Sequence, residues 1–594
     1  MPNAEQADVT VVAQDTGGSA DAPPLAGRLG VTPIPVGVSL ALVATSSFST
    51  LVLELVAGRL LAPAVGVSLY SWTAIIGTVL GAIAVGNDLG GRLARRREAA
   101  PVLEVTLNVA AAYIAGIAVL AHLLVIDDLA IWMPSLPRLF LFVAAVGVVP
   151  CVLLGTTGPM VAHSTIATRG VSDAGPIVGR LGAVATAASL AGAFGTGFVF
   201  VPFLGTRATL AMVAILLAVV APLANPAPAN RRRRVRQVVV TGCIVIAAVW
   251  AWAAADGARM VVARSVETRR MALPGRPVPT GCLVESAYAC IRLDWSTVGR
   301  FQYGRVRLDR SVQGQTAPEM PRLLTSQISQ ALGDTIAMTS GALPGSANLP
   351  PMRILFIGGG SYTLPRWVEA VAPGSHLHVI EVDPEVTAVG VRWLGVSLSA
   401  PPSDRFPSGP GIAVVHGDAR RVIRTLPTGI DIAGHIQGLL CIGSMTTVEF
   451  AREVRRVLQP GGRYAVNVID GWPGGRFLPA FLRTLQEAFS EVDALSTALP
   501  GFPKYDVVQN WVATGGNAPI EIDALDRMTR PGLTPEGAPA AVAPRVRLVT
   551  RDGGIVLPGT DPEAPPWGEA ARAIAPLTDD LAPVDWYLGR RLAE

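Results

Sequence analysis

From Val36 to Ala255 the chain is a series of long apolar runs broken by short polar loops. A helix needs about 20 apolar residues to cross the hydrocarbon core of a bilayer. Seven runs meet that requirement, at 36–56, 71–89, 102–126, 138–162, 181–203, 205–224 and 237–255. The break between the fifth and sixth rests on Pro202, Gly205 and Arg207. All the runs are rich in Gly and Ala, which lets helices approach closely in lipid.

The pattern then changes. Over 283–312 the apolar residues Leu283, Val284, Ile291, Leu293, Val306, Leu308 and Val312 alternate with polar ones, as half-buried strands do. From Arg353 the strands RILFIG, HLHVIEVD, GIAVVHGD, IDIAGHI and RYAVNVID alternate with the helical stretches LPRWVEAV, PEVTAVGVRWLG, ARRVIRTL and TTVEFAREVRRVL. Strands spaced by helices imply right-handed crossovers and a parallel sheet. The expected organisation is a disordered tail over 1–34 and a transmembrane domain of about seven helices over 35–256. A connector and small β-domain over 257–325 and an α/β domain over 326–515 follow. A Pro/Gly-rich extension over 516–594 ends in the ordered-looking LTDDLAPVDWYL.

Composition supports the membrane reading. Only 15% of the 594 residues are charged, 50% are hydrophobic, and the mean hydropathy is +0.45. Soluble domains carry about 25% charged residues. A net charge of +4 offers no broad basic field, which excludes nucleic acid as the main partner. The arginines are clustered: Arg92, Arg95, Arg96 and Arg97; Arg169 and Arg180; and Arg231, Arg232, Arg233, Arg234 and Arg236. All three clusters fall on one side if the N-terminus is cytoplasmic. With seven spans, everything beyond about Ala255 then lies outside the cytoplasm, on a cell membrane. Cys282 and Cys290, eight positions apart in TGCLVESAYACIRLD, are either a disulfide in an oxidising compartment or two unpaired thiols. Cys151 and Cys243 sit in apolar runs, and no cysteine or histidine spacing suggests a metal site. Glu54, Arg59, Asn87 and Asp88 lie near span ends, and Glu104 and Asn108 share a face of the third span. Such groups are functional or are hydrated at the interface by snorkelling.

Candidate chemistry lies in ILFIGGGSYTLPRWVEAV. A strand runs into Gly358, Gly359 and Gly360, and a helix opens near Thr363. Glycines permit a sharp turn and close backbone approach, and the helix start presents free N–H groups. The same pattern also serves as a tight turn with no ligand. The next strand ends in Glu381 and Asp383, where an acid can accept from ribose hydroxyls. Asp418, ending the third strand in HGDAR, either accepts from an adenine amino group or caps the next helix.

The order GGG, VIEVDPEV, GDARRVI and EFAREVRRVLQPGGRYAVNV resembles the spermidine synthase family of aminopropyltransferases. ESAYACIRLD and VRLDRSVQ, with Glu285, Ser286, Tyr288, Leu308, Asp309, Arg310 and Gln313, resemble its small β-domain. The apolar segment from Leu53 to Arg96 and the closing LTDDLAPVDWYL resemble bacterial proteins in which membrane helices are fused to such domains. The implied fold is an α-helical multi-span membrane domain followed by a small β-domain and an α/β Rossmann-like, methyltransferase-type domain. The implied reaction is aminopropyl transfer from decarboxylated S-adenosylmethionine to the polyamine putrescine. Gly358, Gly359, Gly360, Glu381 and Asp418 would hold that adenosyl nucleoside as a co-substrate.

The chain departs from the family on the amine side. Ser361 stands where the glycine loop continues with Asp, and Ile436, flanked by His435 and Gln437, stands where the catalytic Asp is expected. Asp431 is at the wrong end of its strand, and the Tyr-His-Glu run is missing from PEMPRLLTSQISQAL. The catalytic residues are therefore unassigned. His435 is either a replacement base or structural. The readings left open are a membrane-anchored aminopropyltransferase with a degenerate amine site, a methyltransferase on the shared sheet, an inactive extracytoplasmic ligand- or partner-binding domain, and a transport-related protein. The lipid bilayer is the expected partner, and a homo-oligomer is open.

Overall fold

The computed structural model describes residues 34–65, 69–96, 98–124, 140–170, 173–225, 232, 234–250, 253, 282–298, 301–309, 311–343, 346, 348–435, 445–472, 476–496, 507–518 and 576–577. The expected N-terminal tail, Ile436 and nearly all of LTDDLAPVDWYL lie outside them.

Six helices among the described residues are long and apolar enough to cross a membrane: Val36–Ala62, Ser71–Arg96, Ala99–Val119, Phe140–Arg169, Ala174–Leu204 and Thr206–Ala224. The seventh expected span is helical over 234–250. The fifth and sixth separate at Gly205, whose φ of 81° breaks the helix where the sequence suggests. Two π-helical turns, Ala144–Val148 and Thr196–Phe200, each lie just before a proline, Pro150 and Pro202. A proline lacks the N–H for the regular ladder, and a widened turn absorbs the mismatch. Gly86 and Gly90 of the second helix lie against the backbone of the fourth. A Cβ on Gly90 would stand 2.6 Å from the Thr156 carbonyl oxygen. This is the close approach that small residues allow.

Polar contacts fix which helix ends share a face. Ser39 near the start of the first helix bonds Thr165 near the end of the fourth (3.2 Å). Asn225, just past the sixth, donates to Glu104 early in the third (3.0 Å). The Arg95 and Arg96 end of the second helix and the Arg169 end of the fourth belong to this face. Arg59, in the last turns of the first helix, and Thr206, opening the sixth, belong to the opposite one. Both touch the soluble part: Arg59 donates to the carbonyls of Ser286 and Ala287, and Thr206 donates through its N–H and hydroxyl to Glu285.

The soluble part begins with a four-stranded antiparallel sheet: β1 (Val284–Glu285), β2 (Cys290–Val298), β3 (Phe301–Leu308) and β4 (Ser311–Thr316). Cys282 and Cys290 are paired as a disulfide, with Cα atoms 5.5 Å apart. Helix α1 (Gln327–Thr339) leads to a seven-stranded sheet of order β10-β11-β9-β8-β5-β6-β7. Its strands are β5 (Arg353–Ile357), β6 (His376–Glu381), β7 (Gly411–His416), β8 (Ile430–His435), β9 (Leu458–Trp472), β10 (Glu491–Ser496) and β11 (Val507–Gly516). The sheet is mixed, which corrects the wholly parallel expectation: β5 to β9 run parallel, whereas β11 and β10 add an antiparallel edge. The crossovers carry α2 (Thr363–Val371), α3 (Pro384–Trp393), α4 (Ala419–Thr425) and α5 (Val448–Val457), and α6 (Phe477–Gln486) follows β9.

Strand β5 feeds two cores because successive side chains point to opposite faces. Ile354 and Phe356 pack with Trp367, Val368 and Val389, while Leu355 and Ile357 pack with Phe450, Val454 and Phe481. Leu577 closes the second core: its N–H donates to Thr484 and its carbonyl accepts from Val448.

His378 on β6 stacks on Phe406 with ring centroids 4.3 Å apart, and neither of its ring nitrogens has a hydrogen-bond partner among the described residues. Burial, aided by nearby His376 and Arg353, pushes its pKa down to about 4. The folded protein therefore prefers the neutral ring. That stability is fully present above the unfolded value of about 6.5 and is lost as pH falls from there towards 4. The expected loss is on the order of 2 kcal/mol once partial exposure is discounted. Denaturant midpoints between pH 7 and pH 4 should show the slope, and His378→Leu should flatten it.

Candidate functional site

The parallel strands end together at one edge of the large sheet, where ligands of open α/β folds bind. The glycine turn follows β5, with φ of 92° at Gly358 and 52° at Gly360, and the Gly358 N–H donates to the Ile380 carbonyl of β6 (2.7 Å). Glu381 lies at this turn. One carboxylate oxygen accepts from the Gly359 N–H (2.6 Å) and the other from the Asp383 N–H (2.9 Å). Glu381 is only 6% exposed. Burial pushes its carboxyl up, and the two amides pull it back.

The turn is filled by a residue that the sequence reading gave no role. Tyr362 adopts φ 54°, a left-handed conformation that costs a residue with a Cβ roughly 1–2 kcal/mol. Its ring is fully buried. A Cβ on Gly359 would meet the ring at 2.6 Å, and one on Gly390 of α3 at 3.0 Å. The Tyr362 hydroxyl bonds Thr387 (2.7 Å), which also bonds His416 Nε2 at the end of β7 (3.0 Å). A continuous polar chain thus links the glycine turn, α3 and the third strand tip. The sequence signal for it is a tyrosine two residues past the last glycine, where a positive φ is needed.

Ser361, at the position where the resemblance expects Asp, is buried and bonds Thr363 (2.6 Å), which in turn donates to the Gln315 carbonyl of β4 (2.9 Å). Arg366 of α2 ties the two sheets together through Thr316 Oγ1 (3.1 Å), Pro318 O (2.6 Å) and Gly395 O (3.0 Å). Asp383 caps α3 by accepting from the Glu385 N–H (3.0 Å). Burial raises its carboxyl, opposed by the Ser286 hydroxyl, the Glu385 amide, Arg59 and His416. Asp418 is exposed and caps α4, accepting from the Arg421 N–H (3.0 Å). Of its two sequence readings, the capping role is the one seen. Asp431 sits at the opposite edge and accepts from the Arg353 N–H (2.6 Å). Among the described residues no cluster of His, Cys, Asp and Glu is arranged to hold a metal.

The arrangement gives Glu381 two backbone donors and Asp418 one. Tyr362 occupies the space beside Gly359 that the glycines would otherwise leave open.

No protein-family model matches the chain, and no curated protein sequence matches it. Solved structures similar to it include spermidine synthases and methyltransferases. A probable spermidine synthase from Corynebacterium glutamicum is 23% identical with a TM-score of 0.35, over 42% of this chain and 86% of that one. The spermidine synthase from Thermotoga maritima is 16% identical with a TM-score of 0.28, over 40% of this chain and 72% of that one. Human methyltransferase-like protein 13 is 18% identical with a TM-score of 0.24, over 33% of this chain and 80% of that one.

Proposed function

We propose that this chain is a membrane-anchored, spermidine synthase-like protein that does not transfer aminopropyl groups and instead presents a ligand- or partner-binding domain outside the cytoplasm. The observation that carries the reading is Glu381. The acid best placed to hold a ribose is buried and bonded to the protein's own turn. Tyr362 and the Asp418 cap support the same reading, as do the departures at Ser361 and Ile436. The bundle supports an extracytoplasmic side. The soluble part docks at Arg59 and Thr206, on the face opposite the arginine-bearing helix ends. Clustered arginines stay in the cytoplasm, and the Cys282–Cys290 pair suits an oxidising compartment.

Two measurements test this. A reporter fused after Glu594 and active only outside the cytoplasm should light up, whereas one active only inside should stay dark. The full chain in lipid nanodiscs, given decarboxylated S-adenosylmethionine and putrescine, should form no spermidine. A cytoplasmic C-terminus or turnover would overturn the respective half of the proposal. The enzymatic alternative keeps one observation in its favour: Glu381 does stand at the glycine turn.

A further inference from the structure

The loop that docks the soluble part on the membrane bundle is the loop that the disulfide closes. Strand β1 pairs with the start of β2, Val284 with Ile291 and Glu285 with Cys290, so residues 286–289 form the tip of a short hairpin. The Ser286 hydroxyl accepts from the Tyr288 and Ala289 N–H groups (3.0 Å each) and shapes that tip. The Cys290 N–H donates to Asp309 (3.0 Å), which fixes the hairpin to the end of β3. Among the described residues, Arg59 and Thr206 of the bundle both donate to this hairpin. Arg59 reaches the carbonyls of Ser286 and Ala287, and Glu285 accepts both donors of Thr206 at the start of the sixth helix. A carboxylate at a helix N-terminus is favourable, because free N–H groups and the positive dipole end meet it there. On its other side the hairpin meets the sheet edge, where the Ser286 hydroxyl lies beside the Asp383 carboxylate.

A two-residue strand is too short to hold such a hairpin alone. Cys282 precedes β1 and Cys290 opens β2 on the rung next to the tip, so their bond closes a loop that holds β1 and the tip. We infer that the segment Cys282–Cys290 is a redox-sensitive clip, and that its disulfide keeps the soluble domain seated on the membrane bundle through Arg59 and Thr206. Opening the clip is a two-electron exchange with a dithiol. The protein's S–S bond breaks, its two sulfurs leave as thiols with the protons of the reductant, and the reductant becomes the disulfide. The inference is independent of what the sheet edge binds.

The test is hydrogen exchange on the full chain in lipid nanodiscs, with and without dithiothreitol. After reduction, amide exchange should rise at least tenfold at Leu283, Ser286 and Cys290, and also at Thr206, while β5 and β6 stay unchanged. Arg59→Ala should raise exchange at Ser286 and Thr206 in the oxidised protein and add nothing after reduction. Cys282→Ser with Cys290→Ser should match the reduced protein. If that variant fails to fold, reduction of the folded wild type still decides. Unchanged exchange at Thr206 after complete reduction would overturn the inference. So would thiol counting that finds Cys282 and Cys290 free in the unreduced chain.

Discussion

Glu381→Ala should lower the stability of the soluble sheet by about 3 kcal/mol. Two buried N–H groups, those of Gly359 and Asp383, lose their acceptor. An unsatisfied buried donor costs roughly 1–3 kcal/mol, and removal of a desolvated carboxylate offsets part of the sum. Glu381→Gln keeps one acceptor oxygen and turns an amide donor towards the other N–H, so about half the loss is expected. Hydrogen exchange of the β5 and β6 amides in the full chain measures both. An unchanged exchange rate in the alanine variant would mean that the carboxylate faces solvent and is available to a ligand, contrary to the proposed function.

The second large effect is expected at Tyr362. Truncating a fully buried aromatic side chain costs about 3–5 kcal/mol. Glycine at φ 54° recovers about 1 kcal/mol of that because it has no Cβ to strain. Tyr362→Gly should therefore lose about 2–4 kcal/mol and open the space beside Gly359. Tyr362→Phe keeps the ring, gives up the bond to Thr387, and should lose about 1 kcal/mol. If the ring is what closes the turn, the glycine variant should bind methylthioadenosine more tightly than the wild type, whereas the phenylalanine variant should not. Equal binding by all three proteins would remove Tyr362 from the account.

Much of this architecture is legible in the chain because local physics dictates it. Apolar length marks the six described helices that are long enough to cross a membrane, and Gly205 breaks the helix where Pro202 and Arg207 hint at it. Strands β5 to β9 follow from buried runs alternating with helices. The glycine turn follows from residues that accept positive φ. The antiparallel edge was harder to see. Strands β10 and β11 earn their place by pairing with β9, and EVDALS carries no period that sets its direction. Glu381 was legible as a strand-tip acid, but whether its oxygens meet a ribose or a neighbouring amide depends on the turn's geometry. Asp418 had two physically sound roles, and only the backbone of α4 chooses the cap. Arg59 stays open in the sequence between a functional and a snorkelling group because its partners lie more than two hundred positions away, at Ser286 and Ala287. The disulfide was undecidable without the Cα separation.

Calorimetric titration of the full chain in nanodiscs with methylthioadenosine, S-adenosylmethionine and decarboxylated S-adenosylmethionine probes the closed turn most directly. No saturable heat is expected for any of the three up to about 1 mM, a limit near −4 kcal/mol of binding free energy. Micromolar binding to the wild type that Glu381→Gln abolishes would contradict it, because that carboxylate would then be holding a nucleoside and not only its own backbone.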